Sequence, residues 1–307
     1  GTGMYVPAGV VTNDDLAQRM DTSDEWIRQR SGIAERRHVD GTETPADLAL
    51  QASQRALEAA GVGVNEIDAI ILATLSPQHD FPGTSFFLHE RLGAPEIPCF
   101  DLRQMRRILV VGAEVHSTGL EFSTRGRDTA VLFGDGAGAV VLEVNDDADD
   151  LSGLLALRMH AQGEHAKRLW IEAPGSAFWP VRITKEMLDE GRHFARMEGR
   201  FVFKHAVTRM PEVLRETLDA AGTKLDDIDL FLFHQANLRI NEFVASSLGI
   251  APEKCPSNIE RYGNCSAASI PMLLDEAVRS GRLRPGQLVA MTAFGSGFTW
   301  ATAVVRW

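Results

Sequence analysis

The sequence predicts an internally duplicated α/β sandwich, and three observations predict it. First, RALEAAGVGVNEIDAIILATLS (55 to 76) and ETLDAAGTKLDDIDLFLFHQAN (216 to 237) follow one plan: a helix stopped at Ala-Ala-Gly, an acidic linker, an Ile-Asp pair, then an apolar run of the buried-strand kind. Gly61 matches Gly222 and Asp68 matches Asp229, both pairs 161 residues apart. Second, TAVLFGDGAGAVVLEV (129 to 144) resembles MTAFGSGFTWATAVVRW (291 to 307): an apolar run, a Phe-Gly-x-Gly turn, and another run rich in Val and Ala. Third, strand and helix patterns alternate in both copies before this closing hairpin, the order of an α/β sandwich. The halves divide at residues 1–147 and 148–307.

Each element has a local reason. Glycine after the last helical residue takes the left-handed conformation without a Cβ penalty, so Gly61 and Gly222 stop their helices. FGDGAG could pass for a phosphate loop, but that fingerprint must open a helix, and AVVLEV is β-branched without helical period. A tight turn between antiparallel strands is expected there instead. In NCSAASIPMLLDEAVRSGRLRPGQ, Leu273, Leu274, Ala277 and Val278 form a helical apolar stripe and Gly281 ends it.

The first copy lacks this helix. PCFDLRQMRRILVVG (98 to 112) holds two strand-like runs, Cys99 to Leu102 and Ile108 to Val111, with only Arg103 to Arg107 between them. A parallel crossover takes a dozen residues or more. We read about twenty residues, a buried helix and its leading turn, as absent between Gln104 and Met105, by comparison with the second copy.

Bulk properties narrow the class. A chain of 307 residues should bury roughly three quarters of its unfolded surface. Hydrophobic residues at 44% and charged residues at 24% are ordinary for a globular protein. Three cysteines suggest no disulfide framework, and no apolar run approaches the ~20 residues that cross a bilayer. A cytoplasmic location is expected, with no signal peptide at GTGMYVPAGV. The net charge of −11 argues against nucleic acid or anionic membrane as partner. Arg28, Arg30, Arg36 and Arg37 form a basic island that reads equally as a solvated face or a dock for an acidic partner.

Two polar residues stand out. His234 sits where the apolar strand DLFLF gives way to QAN, and ligands in α/β folds gather beyond the carboxyl ends of strands. Asn264 precedes the strong helix, either as its N-cap or projecting its amide into a site.

At this point the chain resembles the β-ketoacyl-acyl carrier protein synthases III of the thiolase superfamily. The resemblance covers essentially the whole chain and rests on GTGMYVPAGVVTNDDLAQRMDTSDEWIRQRSGIAERR, FGDGAGAVVLE, FLFHQANLRI, RYGNCSAASIPMLLDEAVRSGRLRPGQ and AFGSGFTWATAVVRW. It implies a thiolase-like five-layered α/β/α/β/α subunit in a homodimer. It also implies condensation of an acyl-CoA primer with malonyl-acyl carrier protein by a Cys-His-Asn triad, with no cofactor and no metal. By position the histidine is His234 and the asparagine Asn264, both hydrogen-bond donors to the enolate left by loss of CO₂. The backbone N–H of Ser296, where the family often has Gly, would form half of an oxyanion hole.

The nucleophilic cysteine would fall in the absent segment after Gln104. Cys99 lies in a strand before that place, Cys255 in a loop, and Cys265 stands where the family often has Thr; none replaces it. The resemblance further implies that Trp26, behind a capping box over Thr22 to Glu25, and Arg127 stack on the adenine of CoA. Asn237 would touch the pantetheine arm, and Phe81 would reach the partner's acyl pocket. Arg30, Lys204 and Arg239 would receive the acidic carrier protein, although Ser246 and Ser247 replace a common lysine pair. Residues 163–200, with Trp170, Phe178 and Trp179, depart most from the family and line a pocket or cover the core. The alternatives are an acyltransferase to an alcohol or amine, and a non-catalytic partner subunit.

Overall fold

The computed structural model describes residues 1–79, 84–95, 106–145, 147, 150–178 and 180–307. The first half opens with β1 (Thr2–Tyr5). A ribbon of β2 (Gly9–Thr12) and β3 (Glu35–His38) encloses α1 (Asn13–Ala17) and α2 (Asp24–Ser31). Then come α3 (Pro45–Ala60), β4 (Ala69–Ala73), α4 (Thr84–Leu92), β5 (Arg107–Glu114), α5 (Arg127–Ala130) and β6 (Gly136–Glu143). The second half runs β7 (Gly153–Ala161), then β8 (Leu169–Trp170) and β9 (Arg196–Met197) around α6 (Lys185–Asp189). It continues with α7 (Gly199–Ala220), β10 (Leu230–Phe233), α8 (Leu238–Leu248), α9 (Ile259–Tyr262), α10 (Ser269–Arg279), β11 (Leu288–Gly295) and β12 (Thr299–Arg306).

Two four-stranded sheets share one plan. Their orders are β1-β6-β5-β4 and β7-β12-β11-β10; β4–β5 and β10–β11 are parallel and the remaining pairs antiparallel. Helix α3 covers the outer face of the first sheet, α7 the outer face of the second, and α10 lies between them on β6, β1 and β10. The protein is thus a five-layered α/β/α/β/α sandwich. Gly61 and Gly222 end their helices at φ +67° and +64°.

The Phe-Gly-x-Gly repeat has two outcomes. AFGSGF makes the expected turn, joining β11 to β12 through Gly297 at φ +73°. FGDGAG does not: the run before it is the end of α5 and a turn, and Gly136 and Gly138 belong to β6. Their role is close approach. A Cβ on Gly138 would stand 2.7 Å from the Met272 backbone nitrogen, and one on Gly136 2.9 Å from the Met272 sulfur, so α10 rests directly on the sheet.

The basic island divides between core and surface. Arg36 is fully buried, donating to the Val11 and Val131 carbonyls and to Asn13 Oδ1. Arg28 pairs with Asp24 and Glu260, and Arg37 with Glu35. Arg28 and Arg30 remain at the surface.

The crossovers differ in length. Ala69 pairs with Ile108 and Leu230 with Val289. The partners are 39 and 59 residues apart, so the first crossover is 20 residues shorter. The strand expected at Cys99 to Leu102 and the junction of Gln104 with Met105 lie outside the described residues.

Candidate active site

The candidate site forms at the carboxyl ends of β10 and β11, with one wall from the first half. His234 follows β10 directly, and its backbone N–H donates to the Thr292 carbonyl at 2.9 Å. Its Nδ1 lies 2.6 Å from Ser269 Oγ, which itself accepts the Gln235 N–H at 3.3 Å. With the hydroxyl donating to Nδ1, the ring proton would sit on Nε2. Burial holds this imidazole at about 4, so it is neutral near pH 7.

Asn264 is pinned by backbone to the first half: its N–H donates to Leu132 and its carbonyl accepts from Gly134, at 2.8 and 3.0 Å. It does not cap α10, whose N-cap is Ala268 without a side-chain bond. Its Oδ1 accepts the Ser266 N–H at 2.8 Å, which orients the amide. Ser269, the hydrogen-bond partner of His234, lies five residues on, so one turn ties both donors together. Ser296 follows β11 directly and heads the turn Ser296–Phe298, at the same sheet edge as His234.

Two further side chains enter here. His116, just past β5, sets its Nε2 3.0 Å from Ser266 Oγ and 3.7 Å from Glu114 Oε2. Burial, then the neighbouring His234, holds His116 at about 4, while burial lifts Glu114 to about 7. Although the pair is within ion-pair distance, burial drives both toward their neutral forms. Sequence reasoning missed His116 and Ser266. The signal was the same as for His234, a polar residue just beyond the carboxyl end of a buried parallel strand.

The cysteines are poorly suited to attack. Cys265 is buried, its Sγ 3.5 Å from the Tyr262 carbonyl, and burial followed by Asp135 and Glu114 pushes its thiol far up. Burial pushes Cys255 up to about 11. A nucleophilic cysteine needs the opposite shift. Cys99 lies outside the described residues.

Around Trp26 the Arg30 and Arg127 guanidiniums stand 4.3 and 4.8 Å from the indole ring. Arg127 also hydrogen-bonds the Asp21 carbonyl. Ser23 Oγ alone caps α2, accepting from Trp26 N at 3.2 Å; Trp26 holds the third helical position, so no reciprocal capping box forms. Asn237 caps α8, its Oδ1 accepting from Arg239 N and its Nδ2 donating to the Arg30 carbonyl, both at 3.0 Å. Lys204 and Arg239 are exposed, with Arg239 5.8 Å from the Phe203 ring. In the divergent segment, Trp170 lies in β8 beside Lys167, at 5.7 Å, and Phe178 in a short turn of helix. Phe81 and Trp179 lie outside the described residues.

A duplicated sandwich that gathers a neutral imidazole and an oriented amide beyond the ends of a parallel strand pair belongs to the thiolase-fold acyltransferases. Comparison with known proteins narrows that class. Residues 100–163 match 3-oxoacyl-[acyl-carrier-protein] synthase III, and residues 218–307 match its C-terminal region. Beta-ketoacyl-[acyl-carrier-protein] synthase III of Erythrobacter litoralis is 41% identical over 327 positions, covering 100% of this chain and 98% of the relative. That of Xanthomonas campestris is 42% identical over 330 positions, covering 100% and 97%. The crystal structure of 3-oxoacyl-[acyl-carrier-protein] synthase III from Aquifex aeolicus superposes with a TM-score of 0.89 at 40% identity, covering 100% of this chain and 98% of that one. The chain belongs to the 3-oxoacyl-[acyl-carrier-protein] synthase III family. The two sequence alignments are 20 and 23 positions longer than the chain's 307 residues.

Proposed function

We propose that the protein condenses an acyl-CoA primer with malonyl-acyl carrier protein, losing CO₂, and that His234 and Asn264 hold the enolate. The observation that carries this reading is the Ser269 bridge. It ties the imidazole of His234 to the turn that also orients the Asn264 amide, and with Ser269 donating to Nδ1 the Nε2–H would be the donor. Decarboxylation leaves negative charge on the thioester oxygen, and two fixed donors stabilise it without needing an acid. Ser296 N–H would serve the oxyanion of acyl transfer. Trp26 and Arg127 would take the adenine of CoA once Arg127 leaves the indole. Asn237 would border the pantetheine path, and Phe81 would reach the acyl pocket of a homodimer partner. Arg30, Lys204 and Arg239, on the adjoining helices α2, α7 and α8, would meet the acidic carrier.

His234→Ala or Asn264→Ala should lower malonyl decarboxylation by ~10²–10³. Parental rates in both would overturn the reading.

Acyl transfer through cysteine needs a thiol that neither Cys255 nor Cys265 supplies. The shorter crossover and the longer alignments both support a missing segment of about twenty residues bearing that thiol. The same shortening favours a second reading, a partner subunit lacking the cysteine. The intact mass of the natural protein separates them: 33.6 kDa favours the partner subunit, and a mass larger by about twenty residues favours the complete enzyme. Transfer to an alcohol or amine is disfavoured, because a ready nucleophile needs no enolate donor and Asn264 is present.

A further inference from the structure

We propose that Phe243 is the apolar anchor by which this chain holds the carrier protein. The partner that fits it is an acidic protein surface bearing an exposed aliphatic side chain among its carboxylates. The inference rests on the carrier-dependent reading above and adds to it a determinant of affinity that is not a charge.

Phe243 is 51% exposed on α8, although its neighbours Val244 and Ala245 are buried. Its ring meets Phe203 of α7 edge-on, the centroids 6.2 Å apart at 73°. Phe203 in turn carries the Arg239 guanidinium, 5.8 Å from its ring. Two rings and an arginine thus make one patch across two helices, where a single stray apolar side chain would need no explanation. Helical spacing puts Arg239, Phe243 and Ser247 on one face of α8, and Arg200, Phe203 and Lys204 on one face of α7.

The charges around the patch point the same way. Arg200, Lys204 and Arg239 are exposed, and no carboxylate among the described residues pairs with them. The neighbouring Arg168 and Arg209 are by contrast paired with Glu198 and Glu212. Glu242, next in sequence to Phe243, lies about 100° round the helix from it. Ser246 and Ser247 are exposed and uncharged. Unpaired cations around an aromatic centre suit a partner that is acidic at its rim and aliphatic within, and aromatic and arginine side chains are those that dominate binding energy at interfaces.

The patch is also placed to serve the site. Helix α8 starts just past His234, and Asn237 caps it. Phe243 follows six residues on, about 9 Å along the helix axis. A carrier seated on Phe243 would therefore send its thioester arm back along α8, past Asn237, to His234. Burying the ring gives affinity that salt does not screen, whereas the contributions of Lys204 and Arg239 fade as salt rises.

The test titrates the full 307-residue chain with holo-acyl carrier protein in a calorimeter, at ~0.05 and ~0.5 M NaCl. Phe243→Ser should raise Kd ~10-fold or more at both salts, while Lys204→Ser should raise it chiefly at the lower one. Phe243→Lys separates the two causes. It tightens binding of an acidic partner if charge alone holds the carrier, and weakens binding as Phe243→Ser does if the ring holds it. Tighter binding by Phe243→Lys, or an unchanged Kd in Phe243→Ser, overturns the anchor. A lower oligomeric state in Phe243→Ser than in the parent, by sedimentation, would mean that the patch joins two copies and overturns it too. Malonyl-CoA decarboxylation by the parent involves no carrier and reads the condensing function separately. Carrier binding through Phe243 without decarboxylation sustains the anchor and removes that function; decarboxylation without carrier binding does the reverse.

Discussion

Leu232 and Ile71 occupy the same place in the two halves, 161 residues apart on β10 and β4, yet Leu232 is fully buried and Ile71 is 41% exposed. The flanking strands repeat the contrast. Thr2 on β1 pairs with Val140 and Met159 on β7 with Ala301, again 161 apart; Thr2 is 3% exposed and Met159 69%. On β7, Arg158 and His160 reach Glu216 of α7, so by strand alternation Leu157 and Met159 face the middle layer. In that layer α10 covers Leu232 and hydrogen-bonds Thr2 through Asp275. No described helix does the same for Ile71 and Met159. Apolar side chains left in water forgo ~1.5–3 kcal/mol each relative to full burial. The difference teaches that one helix per half closes this sandwich, and that the half with the whole crossover is also the one that supplies His234, Asn264 and Ser296.

The sharpest way to break the comparison is to truncate both equivalent side chains. Leu232→Ala should cost ~2–5 kcal/mol, the transfer term plus a cavity between sheet and helix. Ile71→Ala should cost less than ~1 kcal/mol, because water already reaches it. Urea unfolding measures both. Equal losses would mean that Ile71 is covered in solution and that the halves are alike there.

A second contrast lies at the strand ends. β5 finishes in Glu114, whereas β11 finishes at its counterpart Gly295. Burial raises Glu114 from 4.5 to about 7, so the folded state binds its proton more tightly than the unfolded chain does. The stability this confers is complete below pH 4.5 and is lost as pH rises through about 7. His116 and His234 act oppositely. Burial lowers both from 6.5 to about 4, so their contribution is complete above pH 6.5 and lost as pH falls through 4. Glu114→Gln should therefore flatten the decline between pH 5 and 8, by on the order of 1–3 kcal/mol, in denaturation midpoints measured across that range. An unchanged pH profile would show that the carboxyl is ionised in the fold at little cost.

How much of this was legible in the sequence depends on whether local pattern or distant packing decided it. The duplication was legible because Gly61 and Gly222 stop helices locally and the Ile-Asp pairs precede strands in both copies. His234 was legible because the end of an apolar run marks the end of a strand. The burial of Arg36 was not, since its partners Val11, Asn13 and Val131 come from separate elements that only the fold assembles. Nor was the contact of His116 with Ser266, made across 150 residues. The closing of Arg127 onto the indole of Trp26, a contact across 101 residues, was unreadable for the same reason.

The glycines of FGDGAG are the plainest case of a right signal with the wrong cause, and they give the smallest contrast. Read locally, they announce a turn; in the fold they let α10 lie on β6. A methyl at Gly138 would meet the Met272 backbone nitrogen at 2.7 Å, and a helix backbone cannot rotate away as a side-chain tip can. Gly138→Ala gains some strand propensity, up to ~1 kcal/mol, but must push α10 outward, an overpacking cost of ~1–3 kcal/mol. A net loss of about 1–2 kcal/mol follows. The equivalent position in β12 is Thr299, 161 residues on and exposed. Thr299→Ala should change stability by under ~0.5 kcal/mol, as exposed substitutions do. Thermal unfolding of the two variants checks the pair. If Gly138→Ala proved as harmless as Thr299→Ala, α10 would stand off the first sheet, and its close seat could not be what sets the two halves apart.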